Sequence, residues 1–183
     1  NIKLYVVVPT DDVQLFSVDD RNVYVIDENE VTDELSLKNK TSFSDGYINQ
    51  QIIKLSFWEL GLCKNYFCID SDCIFIKYFH KSDFLAYGDV PYTIIYDDNE
   101  LMVDREYYKQ YGKYRLRYNR IIKHNLGIKE SVTMFSCHGL AIISSVVMKS
   151  LKIDYLVANN ISYRTMIEKA PIEFTWYNYW LQK

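Results

Sequence analysis

Apolar positions along this chain fall into short runs and helical spacings that alternate. Ile2 to Val8 is a nearly continuous branched run closed by Pro9-Thr10-Asp11-Asp12, the pattern of a central parallel strand followed by a loop. Asn22 to Ile26 predicts a second strand, and the acidic stretch from Asp27 to Lys40 a loop with at most a short helix. From Gly46 to Leu60 the apolar residues approximate helical spacing, and Gly61 is a stop signal. Tyr66 to Ile69 and Cys73 to Ile76 read as two buried strands, because each is a short aromatic or branched run. Tyr92 to Tyr96 predicts another strand, and Asp104 to His124 a long helix ending at Asn125 to Gly127. Ser131 to Met148 carries no Asp, Glu, Lys or Arg, which just reaches the length of a spanning helix. Its Ser, Thr, Cys, His and Gly residues interrupt it, so it reads as two buried strands, Thr133 to Ser136 and Leu140 to Ile143, with a corner at His138-Gly139. Ser144 to Leu151 then reads as a capped helix.

The expected class is α/β in a single domain over residues 1–183. With 49% apolar and 16% aromatic residues, six glycines and three prolines, the chain can bury a core and lacks a disordered composition. A net charge of −3 gives no footprint for non-specific nucleic-acid binding. Cys63, Cys68, Cys73 and Cys137 form no C-x-x-C pair and read as small apolar fillers in a reducing compartment. The opening apolar run lacks a basic leader, so a cytoplasmic location is expected, peripheral at most to the inner face of the membrane.

Chemistry concentrates at Asp70-Ser71-Asp72, two carboxylates one residue apart where the first motif strand ends. Ionised carboxylates beside an apolar layer are costly unless paired, hydrated or bound to a cation. Hard oxygen ligands suit Mg2+ or Mn2+, and magnesium is commonly held by one or two carboxylates plus substrate phosphates. The alternative is a plain Asx turn. Gln51 and Lys54 share a helix face; Lys54 is a solvated residue unless that helix end faces the Asp70 loop. His138, at the strand break, is within the chemistry of a metal ligand or a diphosphate partner. Arg105, Lys109, Lys113, Arg115, Arg117, Arg120 and Lys123, interleaved with tyrosines, make a basic stretch at 105–123 that is either a solvated face or a contact for phosphates, an acidic acceptor or anionic lipid. The aromatics from Phe174 to Trp180 are core formers first, and also suit sugar rings.

The strand-loop-Pro opening, Gly46-Tyr47 with Gln50-Gln51-x-x-Lys54-Leu55, and Tyr66-Phe67-x-Ile69-Asp70-Ser71-Asp72-x-Ile74-Phe75 together resemble the nucleotide-sugar glycosyltransferases of the GT-A fold. The likeness is closest to small bacterial sugar transferases of polysaccharide biosynthesis that carry "QQ-x-x-K" ahead of "LDSDTIF-x-x-PF". Tyr78 stands where that family prefers Pro, and Trp176 stands where its "FSEYELY" motif has Glu. The resemblance implies a Rossmann-type mixed, mainly parallel sheet flanked by helices. It further implies a nucleotide-diphosphate sugar donor bordered by Pro9, Thr10, Asp11, Gln51, Lys54, Asp70 and Ser71. A Mn2+ or Mg2+ ion at Asp70 and Asp72, with His138 near, and a glycan or lipid-linked acceptor complete it. Glu173, Asp97 and Asp98 are the carboxylates available as a base. Two other readings of D-x-D are a haloacid-dehalogenase-type phosphatase and a nucleotide- or sugar-binding module without turnover.

Overall fold

A computed structural model describes residues 2–16, 20–35, 38–93, 96–97, 103–129, 135–136 and 141–183. It shows a mixed α/β chain. Strand β1 (Leu4–Val8) pairs in parallel with β2 (Val23–Asp27), with Tyr5 opposite Tyr24 and Val7 opposite Ile26. Pro9 ends β1 as expected and leads into a 3₁₀ turn, Thr10–Leu15. Asp27 closes β2 and starts α1 (Glu28–Val31) with a capping box shared with Glu30.

Helix α2 (Asp45–Ser56) begins where the Ser44 side chain accepts a hydrogen bond from Tyr47 N. It tightens into a 3₁₀ turn at Phe57–Leu60 and stops at Gly61, whose φ of 67° is left-handed. Strand β3 (Asn65–Cys68) follows and pairs antiparallel with a strand far along the chain. The short β4 (Tyr96–Asp97) comes next. Arg105–Tyr107 and a π-helical turn at Tyr108–Gly112 then run into α3 (Lys113–Leu126), which ends at left-handed Gly127. Strand β5 (Phe135–Ser136) pairs antiparallel with β4, and β6 (Ala141–Ser144) with β3. Helix α4 (Ser145–Ser150) continues as a π-helical stretch at Leu151–Val157. Helix α5 (Tyr163–Lys169), capped by Ser162, and α6 (Glu173–Leu181) finish the chain.

The described strands form three two-stranded ladders, of which β1–β2 is parallel. The core lies where α2, α3, α5 and α6 meet β6, and contains Ile48, Ile52, Leu55, Ile122, Ile143, Met166 and Trp176. Tilted ring pairs tie β1 to β3, since Phe57 lies 5.5 Å from Tyr5 and 5.2 Å from Tyr66.

Three expectations are corrected. Cys73 to Ile76 is not a strand: Asp70 to Cys73 makes a turn, and Ile74, Ile76 and Tyr78 are 84%, 93% and 100% exposed. A strand exists only through a ladder partner. Here the partner on β3 is β6, and Phe75, tilted against Phe79 at 4.8 Å, links the run to the Phe84–Phe67 pair. Cys73 is exposed, so it fills no core. Lys123 leaves the charged face of α3, being buried with its ammonium 5.8 Å from the Tyr179 ring centroid. It sits one position after Ile122 and three before Leu126, on the side that packs inward.

Candidate functional site

The helical repeat puts Tyr47, Gln51 and Lys54 on one side of α2. Lys54 points to the end of β3. Its ammonium lies 2.7 Å from Asp70 Oδ1 and 3.1 Å from Glu173 Oε1, the first residue of α6. The Phe174 ring lies 5.1 Å beneath the same ammonium. Tyr66 of β3 donates to the Lys54 carbonyl at 2.7 Å, and Tyr47 donates to the Pro171 carbonyl at 3.3 Å. Strand end, helix and C-terminal helix are thus locked around one cation.

Electrostatics differ across this cluster. Burial alone would lower the Lys54 ammonium, but the Glu173 and Asp70 carboxylates outweigh it and hold the group above the ordinary lysine value. Burial pushes the Glu173 carboxyl above its ordinary value, with Lys54 offsetting part of the rise. The Cys68 thiol, at the base of the cluster, is driven up by burial and is chemically quiet. Asp70, Ser71 and Asp72 all face solvent on the turn.

Gln51 is 1% exposed, donates to the Tyr47 carbonyl at 3.3 Å, and leaves its Oε1 without a partner. A buried unsatisfied acceptor costs about 1–3 kcal/mol.

The structure therefore brings together Gln51, Lys54, Asp70 and Glu173 from the sequence-derived set, with Ser71 and Asp72 beside them on the turn. Thr10 is engaged elsewhere, donating to Asp27 Oδ1 at 2.9 Å and accepting from Asn29 at 2.7 Å, with Pro9 and Asp11 as its neighbours. Asp97 lies in β4 opposite Phe135. Asp98 and His138 lie outside the described residues. Glu173, expected as an acceptor base, is buried with its carboxylate bound to Lys54. Trp176 is fully buried and donates to the Ala170 carbonyl at 2.8 Å, so the C-terminal aromatics serve the core. Tyr47, Tyr66 and Phe174 are partners to which the sequence assigned no role at the site, although Tyr47 and Tyr66 stand within the quoted motifs and Phe174 opens the aromatic run.

Residues 2–181 match the model of DUF6492, a family of unknown function. The chain belongs to that family. No curated protein sequence and no solved structure matches it. Among the described residues no three His, Cys, Asp or Glu side chains gather as a ready-made metal cage, and no helix is long and apolar enough to cross a membrane. The Asp70–Asp72 turn offers the smaller donor set, two exposed carboxylates, that suits a hard cation sharing its remaining oxygens with substrate phosphates.

Proposed function

We propose that this DUF6492 chain is a glycosyltransferase that moves a sugar from a nucleotide-diphosphate sugar to a glycan or lipid-linked acceptor. The observation that carries the reading is Lys54, fixed between exposed Asp70 at the end of β3 and buried Glu173. A GT-A-like sheet is part of the proposal, supported by the parallel β1–β2 ladder that Pro9 ends and by D-x-D at a strand terminus.

In this reading Asp70 and Asp72 would hold Mg2+ or Mn2+, which supplies charge neutralisation for the diphosphate. Lys54 presents a second positive charge to that diphosphate, and Glu173 is a positioning residue that keeps the ammonium protonated and aimed. Transfer breaks the bond between the sugar anomeric carbon and the diphosphate oxygen, which keeps the electron pair. The acceptor oxygen takes its place on the anomeric carbon and passes its proton to water. Preorganised positive charge at the leaving group is commonly a large catalytic contribution.

Thermal-shift titration with nucleoside diphosphates, with and without Mn2+, tests the proposal. Ligand at 100 times its Kd adds about 2.7 kcal/mol of stability. A nucleotide panel that shifts nothing under either condition removes the reading. Binding without release of nucleoside diphosphate from the sugar donor favours a module without turnover, which suits a D-x-D carboxylate already neutralised by Lys54. Hydrolysis of simple phosphate monoesters instead restores the phosphatase reading.

A further inference from the structure

We infer that α3 lays this protein on an anionic lipid surface. Between residues 105 and 129 there are eight Lys or Arg against one Glu, a local charge of +7 that leaves −10 on the rest of the chain. Such separation is an oriented field, and it draws the α3 side toward negative surfaces.

The charge is also ordered. Lys113, Arg117, Arg120 and His124 stand at intervals of four, three and four residues, so they share one face of α3, and all are exposed. At 1.5 Å per residue the row runs about 17 Å. Lys109, one turn earlier, is paired with Glu106 at 2.8 Å, whereas Lys113, Arg117 and Arg120 have no carboxylate partner among the described residues. More cations collect at the end of the row: Lys169 donates to Asn125 Oδ1 at 3.0 Å, and Lys183 to the Leu126 carbonyl at 2.9 Å. Three unpaired like charges in a row repel one another and add nothing to the fold, so an external anion is their natural complement.

The shape of the face selects the partner. Ile122 and Leu126 spend the apolar side of α3 on the core, so the helix does not sink into a bilayer as a free amphipathic helix would. What it presents is a convex basic ridge beside exposed Tyr108, Tyr111 and Tyr114. Single-stranded polyanions are gripped by grooves; a ridge meets a flat sheet of charge. Tyrosine rings settle at headgroup level. Because α3 packs against α6, the ridge is rigidly connected to the helix that carries Glu173. The inference does not rest on sugar transfer, and its test uses neither nucleotide nor metal.

Co-sedimentation with phosphatidylcholine vesicles containing about one third phosphatidylserine tests it. Binding is expected to anionic vesicles and not to pure phosphatidylcholine. It is expected to fall as salt shortens the screening length from about 10 Å at 0.1 M to about 3 Å at 1 M. Each Lys or Arg near such a surface is worth about fivefold in affinity, so Lys113→Glu/Arg117→Glu/Arg120→Glu should lower it at least roughly a hundredfold. The same charge change at Lys40, Lys77 and Lys149 should leave most of the binding, and a melting curve for each triple variant confirms folding. Equal loss in both folded triples, or no binding to anionic vesicles at low salt, overturns the inference. Capture of polyphosphate by α3 without vesicle binding also overturns it and assigns the ridge to a soluble polyanion.

Discussion

The Lys54 ammonium lies 3.1 Å from the Glu173 carboxylate, joining residues 119 positions apart in the chain. Their side chains are only 16% and 10% exposed, so each depends on the other for its charge to be tolerated. Lys54→Met is expected to cost about 3 kcal/mol in urea unfolding, because Glu173 is left buried without its cation. Pairing it with Glu173→Leu should recover much of that loss. Strictly additive costs in the double variant would mean that the two groups are not coupled.

The same pair sets a pH dependence. Glu173 holds its proton more tightly in the fold than in the unfolded chain, so its contribution favours the fold at low pH and declines as pH rises from about 4.3 through the folded value. Lys54 has the same sign in a higher window: its raised value gives stability present below about pH 10.4 and lost as pH climbs through the folded value. Melting temperatures of wild type and Glu173→Gln, compared from pH 4 upward, should diverge to the disadvantage of wild type. A constant gap would show that Glu173 titrates normally.

Asp72 is exposed on the turn, and removing it should change stability by no more than about 0.5 kcal/mol. Its loss should nevertheless abolish Mn2+-dependent nucleotide binding in calorimetry. An Asp72→Ala protein with wild-type affinity would take the cation site out of the proposal.

Trp176 is buried, bonds to the Ala170 carbonyl, and faces Tyr155 with ring centroids 6.1 Å apart. Trp176→Ala is expected to cost about 3–5 kcal/mol, and the hydrogen bond lost in Trp176→Phe about 0.5–1.5 kcal/mol, since the Ala170 carbonyl still accepts from Ile172 N. Trp176→Glu should prevent folding, since it would bury a carboxylate at a position that is fully enclosed and packed against the Tyr155 ring. If the Glu variant folds with near wild-type stability, the pocket around residue 176 is open and not core.

Element ends were legible wherever one residue dictates the backbone. Pro9 ends β1, and Gly61 and Gly127 close their helices in left-handed geometry. The apolar run Cys73 to Ile76 misled because a strand-like composition says nothing about whether a partner strand is there to pair with it. Lys123 misled in the opposite sense. Its charge suggested solvent, while its place between Ile122 and Leu126 put it on the buried side, where the Tyr179 ring receives it.

For the candidate site, Asp70, Asp72, Gln51 and Lys54 were readable from local spacing, because helix and strand periods fix which neighbours share a face. The sequence by itself determined the mixed α/β class, the helices near 46–60, 104–124 and 144–151 but not α5 or α6, and the separation of +7 at 105–129 from an acidic remainder. Only the tertiary structure decided that Lys54 spans Asp70 and Glu173, that β3 pairs antiparallel with β6, and that Trp176 is core. These are contacts between residues distant in the chain. They are set by how apolar faces from separate elements pack together, and no local pattern of residues encodes which distant carboxylate will meet a given lysine.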